Sequence, residues 1–119
     1  MEDIIVGINL FNDADFFSAH DFFESLWVEC NQNEKLFFQG MVQISVGCYH
    51  LVCGNYKGAL SQFNKGKVKL NRYLPSYKNV DLNSLISGVD LLINELNDYF
   101  AGNYSGVDLK KIPKLLIIN

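Results

Sequence analysis

From Leu36 to Tyr56 the chain carries no charged side chain, and no other feature narrows its fold as much. A run of that length is long enough to cross a bilayer. Gln39, Gly40, Gln43, Ser45, Gly47 and His50 interrupt it, too many polar and small groups for a lipid-facing helix without compensating partners. The reading that remains is a buried central helix, about Glu34 to Cys53, closed by Gly54 and Asn55, residues that tolerate a left-handed cap. No membrane partner is expected. With 119 residues and 49% apolar content, the chain suits a single helical domain over 1–119.

The rest of the sequence reads as helices around that one. Ile4 to Phe11 is a short apolar lead, and Asn12 and Asp13 offer an N-cap for a helix running to about Cys30. Asn31, Gln32 and Asn33 make the turn into the central helix. A third helix, about Tyr56 to Leu74, buries Tyr56, Ala59, Leu60, Phe63 and Leu70, turns Lys65, Lys69 and Arg72 outward, and ends at Pro75. Lys67 falls on its apolar side as a snorkelling stem. Asp81 caps a fourth helix, in which Leu82, Leu85, Ile86, Val89, Leu92, Ile93, Leu96 and Phe100 recur at intervals of mostly three and four. Beyond Gly102 the apolar run Leu115 to Ile118 is expected as an extended arm, laid on the bundle or on a second copy. The fold class expected is all-α: an irregular array of about four helices with an extended C-terminal arm.

Charge and cysteine usage exclude some partners. A net charge of −3 does not supply the basic surface that general nucleic-acid binding draws on, so no nucleic-acid partner is expected. The charge is also segregated: residues 1–34 hold eight acidic side chains and no basic one, and residues 35–78 hold seven basic and no acidic one. The expectation is that the two segments pack as neighbours and neutralise each other, the alternative being a separate anion-binding face. Cys30, Cys48 and Cys53 are odd in number and contain no CxxC. With no basic segment before an apolar core at the start, reduced thiols in a cytoplasmic protein are the natural reading.

One stripe stands out chemically. At about 100° per residue, Asp13, Phe16, His20, Glu24 and Trp27 fall within about 80° of one another on the first long helix. Folding the first two long helices back as a hairpin puts Trp27 near Phe37, and His20 and Glu24 opposite Gln39 and Gln43. Gln39, Gln43 and His50 share about 40° of arc, with Gly40 and Gly47 beside them to admit a helix or a ligand to the backbone.

That set supports two readings. As a buried network, Gln39 or Gln43 donates to Glu24, Glu24 accepts from His20, and His50 reaches back toward Asp13. As a site, His20, Glu24, Trp27, Gln39, Gln43 and His50 bind a small polar ligand, with Asp21 near by. The candidate catalytic pair is His20 and Glu24, the carboxylate holding the imidazole in one tautomer. The same two side chains are the candidate metal ligands, but two ligands leave a zinc site incomplete and glutamine is a poor substitute. No cofactor is evident, and a divalent metal is the alternative. There is no phosphate loop, HExxH or dinucleotide fingerprint.

The segments LFN, AHDFFESLW, QGMVQ, His50 and GNYKGA, in that order, resemble the family catalogued as domain of unknown function 309, over about residues 8–75. The family pattern usually reads AHE where this chain has Ala19-His20-Asp21, an acidic side chain shorter by one methylene. The resemblance implies an all-helical cytoplasmic protein whose matching positions, His20, Glu24, Trp27, Gln39, Gly40, Gln43 and His50, form a shared polar cluster between helices. It implies no activity. The function expected is a ligand-binding or protein-interaction module built on that cluster, with a metal-assisted or His/Glu acid-base hydrolase as the alternative. A homo-oligomer or other protein partner is suggested by the apolar tail and the charge segregation.

Overall fold

The uncharged run does become the central helix of the computed structural model, which describes residues 4–118. We number the helices in chain order: α1 (Ile4–Asn12), α2 (Phe16–Glu29), α3 (Lys35–Val52), α4 (Tyr56–Leu70) and α5 (Leu82–Phe100). Phe37, Met41, Ile44 and Cys48 of α3 are fully buried, which an uncharged helix permits at no desolvation cost.

The neighbours of α3 take opposite flanks. The Phe17 ring of α2 meets the Tyr49 ring at 5.7 Å, whereas Gly40 and Gly47 face α4. A Cβ added at Gly47 would lie 2.7 Å from the Phe63 ring, and one added at Gly40 would lie 2.8 Å from Leu70. On the helical wheel Tyr49 and the two glycines are separated by about 160–180°, so α2, α3 and α4 form one layer with α3 in the middle. The glycines therefore admit a helix. Helix α5 packs on α4, where Lys67 pairs with its Asp90 and the Tyr56 and Tyr99 rings meet edge to face.

Four expectations need correction. Among the described residues there are five α-helices rather than about four, because Ile4–Asn12, read as an apolar lead, is helical. That segment is short, uncharged and almost wholly apolar, and packing sets its state: Gly7, Ile8 and Phe11 are buried, with Gly7 against the rings of Phe22 and Phe23. The cap of α2 is consequently Asp15, which accepts from the Ser18 N–H at 3.2 Å, and Asp13 lies in the turn before it. Helix α4 stops at Leu70 and continues as a 3₁₀ turn, Asn71–Tyr73, since a residue preceding proline is pushed out of the α region. Between α4 and α5, β1 (Ser76–Tyr77) and β2 (Val80–Asp81) form a small antiparallel hairpin. Lys78 and Asn79 at its tip have φ of +49° and +65°, as a two-residue turn of this hand requires.

The C-terminal segment contains a 3₁₀ turn, Leu109–Lys111, and then runs extended along the chain's own bundle. Asp81 N–H donates to Leu116 O and Ile118 N–H to Asn79 O, so the segment lies beside β2. Its Leu115 is buried.

Candidate functional site

The hairpin register read from the sequence is the one observed. Lys35 Nζ donates to Trp27 O at 2.7 Å, and with the Phe17–Tyr49 contact this sets Glu24 level with Gly40, and Asp21 level with Gln43. His20 and Glu24 therefore do stand across from Gln39 and Gln43.

The hydrogen-bond network expected there is not formed. His20 Nδ1 donates to Phe17 O within its own helix at 2.8 Å and lies 3.6 Å from the Asp21 carboxylate. Glu24 is exposed and, among the described residues, has no hydrogen bond or ion pair, and Gln39 has no hydrogen bond. The Gln43 carbonyl oxygen is buried without a partner. His50 stays at the α3–α4 corner, where Asn55 Nδ2 lies 3.3 Å from its Nδ1, and does not reach Asp13. The cause is where the stripe ends up. On the α3 wheel the glycines occupy one flank, Tyr49 the other and Cys48 the inside, which leaves Gln39, Gln43, Val46 and His50 on the outward side. Glu24, Gln39 and His50 keep access to water there, so the fold does not require them to pair with one another, whereas the Gln43 carbonyl oxygen stays covered.

These bonds nevertheless fix both imidazoles. A carbonyl oxygen only accepts, so neutral His20 carries its proton on Nδ1 and offers a lone pair at Nε2. Asn55 Oδ1 accepts from the Gly58 N–H at 3.0 Å, which orients the amide so that its NH₂ donates to His50 Nδ1. Neutral His50 therefore carries its proton on Nε2. Phe17 O, and not Glu24, sets the His20 tautomer.

Sequence reasoning passed over the aromatic part of this surface. Phe17 and Tyr49 are 53% and 41% exposed, and they connect the two histidines: ring centroids are 5.2 Å apart for His20 and Phe17, 5.7 Å for Phe17 and Tyr49, and 6.2 Å for Tyr49 and His50. The signal was present, because Phe17 falls about 60° from His20 on the wheel, but it reads as one more core residue in a phenylalanine-rich helix. Trp27 is half-buried at the hairpin tip, with the Lys35 ammonium 5.6 Å above its ring.

The charge segregation survives folding. The acidic helix α2 and the basic helix α4 sit on opposite flanks of α3, so they do not neutralise each other. Among the described residues the ion pair between Lys78 and Glu34 links the two segments, while Lys65, Lys69 and Arg72 have no ion pair.

The thiols and clefts lie elsewhere. All three cysteines are free, and burial pushes the Cys48 thiol far above its ordinary range. Among the described residues no group of three or more His, Cys, Asp or Glu side chains is arranged to hold a metal ion. A cleft of about 600 Å³ opens at the other end of the hairpin, lined by Leu26, Glu29, Cys30, Glu34, Phe38 and Lys78 among others. A smaller one, about 370 Å³, lies under the C-terminal segment around Phe11, Val52 and Ile112. Neither is lined by His20, Glu24, Gln39, Gln43 or His50.

Residues 4–62 match the family model described as domain of unknown function (DUF309), a stretch covering α1 to α3 and the first part of α4. Over that stretch the chain is similar to this family, as its ordered motifs imply. No helix is long and apolar enough to cross a membrane among the described residues. No curated protein matches the chain.

Proposed function

We propose that this chain, similar over residues 4–62 to a family without an assigned activity, is a protein-interaction module whose contact surface is the outward side of the α2–α3 hairpin. The observation that carries the reading is the ring series His20–Phe17–Tyr49–His50, half-exposed and bordered by Glu24, Gln39 and Gln43. Aromatic rings that stand out of a surface supply large contact area at low entropic cost, and they are enriched where proteins bind one another. Among the described residues Glu24 and Gln39 make no intrachain hydrogen bond or ion pair, and both can hydrogen-bond a partner. Neither cleft includes these rings, and an open surface suits a protein partner better than a small ligand, which favours enclosure.

A photo-activatable phenylalanine at position 17 tests this. A discrete covalent adduct is expected from position 17, weakened by Tyr49→Ala, and none from the same group at Leu91, which is 61% exposed on α5. Equal labelling from both positions, or from neither, would remove the reading.

A second reading rests on the His20 tautomer. With Nδ1–H held by Phe17 O, the Nε2 lone pair faces outward as a general base or a metal ligand, one turn from Glu24. A hydrolytic activity abolished by His20→Gln, in a protein of unchanged stability, would favour it over the interaction module.

A further inference from the structure

We infer that the partner of this face is a second copy of the chain, docked face to face about a two-fold axis parallel to α3. The inference rests on the reading of the face as an interaction surface and goes further by naming the partner and its geometry.

The layer carries three bands on its outward side. On α2, the inward positions are Phe16, Ala19, Phe23 and Leu26, and the opposite arc holds Asp21 and Glu24 with the exposed Phe17 and Val28. On α3 the band is uncharged: Gln39, Gln43, Val46 and His50. On α4, Phe63 and Leu70 meet α3 and Lys67 meets α5, which places Lys65, Lys69 and Arg72 on the outward arc. Acidic, neutral and basic bands thus run side by side.

The heights of these charges match. In α2, Glu24 is level with Gly40 and Asp21 with Gln43, from the contacts given above. In α4, the approaches of Gly40 to Leu70 and of Gly66 to Ile44 set Lys69 level with about Gly40, and Lys65 level with about Ile44. Glu24 and Lys69 therefore flank α3 at one height, and Asp21 and Lys65 about one turn further along.

A two-fold axis parallel to α3 exchanges the flanks and keeps the heights. It sets Glu24 over the partner's Lys69 and Asp21 over the partner's Lys65, and each contact occurs twice, as an isologous interface requires. The other in-plane axis, perpendicular to α3, stacks acid on acid and base on base, which like-charge repulsion disfavours. Between the charged bands the two uncharged α3 stripes meet, Gln39, Val46 and His50 of one copy facing those of the other. The area is adequate. Helix α3 has 18 residues, about 27 Å, and three helices at about 10 Å spacing present about 700 Å², close to the ~800 Å² per partner of a standard interface.

Sedimentation of the full chain tests this with charge reversals at the exposed Glu24 and the partly exposed Lys69. The wild type is expected to be a dimer at high micromolar concentration. Glu24→Lys and Lys69→Glu should each weaken it by on the order of tenfold or more, and an equimolar mixture of the two variants should regain it, because both cross-contacts then match. Circular dichroism melts confirm that each variant is folded. A wild type that stays monomeric, or a dimer that neither reversal weakens, would overturn the inference. A monomer whose position-17 probe still captures a protein of another mass would overturn self-association while leaving the broader interaction reading intact.

Discussion

The side chain of Asn12 brackets the backbone of Leu115: its Oδ1 accepts from the Leu115 N–H at 2.7 Å, and its Nδ2 donates to Leu115 O at 2.9 Å. One amide at the end of α1 thus closes a contact across almost the whole chain and seats the extended arm beside β2. Asn12→Ala leaves two partly buried backbone groups without partners, at about 1–3 kcal/mol. Faster amide exchange at Leu115 and Ile118, with α3 amides unchanged, is the expected pattern. Equal acceleration throughout would mean that the arm is integral to the core.

Ala14 offers a gain in stability. It follows α1 with φ of +64°, and the bonds Ala14 N–H to Phe11 O and Asp15 N–H to Leu10 O repeat those made around Gly54 after α3. A Cβ in this left-handed conformation costs about 1 kcal/mol, which glycine avoids. Ala14→Gly should therefore raise stability by about 1 kcal/mol in urea unfolding, and Gly54→Ala should lower it by a similar amount.

The α3–α4 crossing depends on the absence of side chains. A Cβ at Gly66 would lie 2.8 Å from Ile44 and 3.1 Å from Gly40 O, and the backbone oxygen cannot move aside cheaply. Gly66→Ala is expected to destabilise by about 1–3 kcal/mol through overpacking, although alanine is the better helix former by about 1 kcal/mol. A stabilised variant would contradict the close approach of the two helices.

The buried Cys48 thiol makes stability fall in alkali. Its folded-state pKa is raised by burial above the ordinary thiol value of 9.0, so its proton is retained in the folded chain and lost from the unfolded one as pH rises. The contribution is complete below about pH 9 and declines by about 1.4 kcal/mol per pH unit above it. Cys48→Ala should remove that part of the slope, which urea unfolding at a series of alkaline pH values measures. In the native wild type a disulfide reagent should label the exposed Cys53 well before Cys48.

The central helix was readable from residues alone because an uncharged run with its own cap is a local fact, as is the Asp81 cap followed by the apolar period of α5. The α2–α3 register was readable too, since a short turn between two helices leaves little choice of pairing. The helical state of Ile4–Asn12 and the seat of the arm were not, because neither has a local signal and each depends on surfaces supplied by distant segments. The polar stripe shows the same divide. Spacing put His20, Glu24, Gln39, Gln43 and His50 on shared arcs of their helices, but an arc has no inside until neighbours occupy its flanks. Tyr49 against α2 and the glycines against α4 fixed those flanks, turned the stripe outward, and left acidic and basic helices on opposite sides of α3. Periodicity and capping are properties of one segment, whereas burial and charge adjacency are properties of pairs of segments, and pairs are chosen by packing.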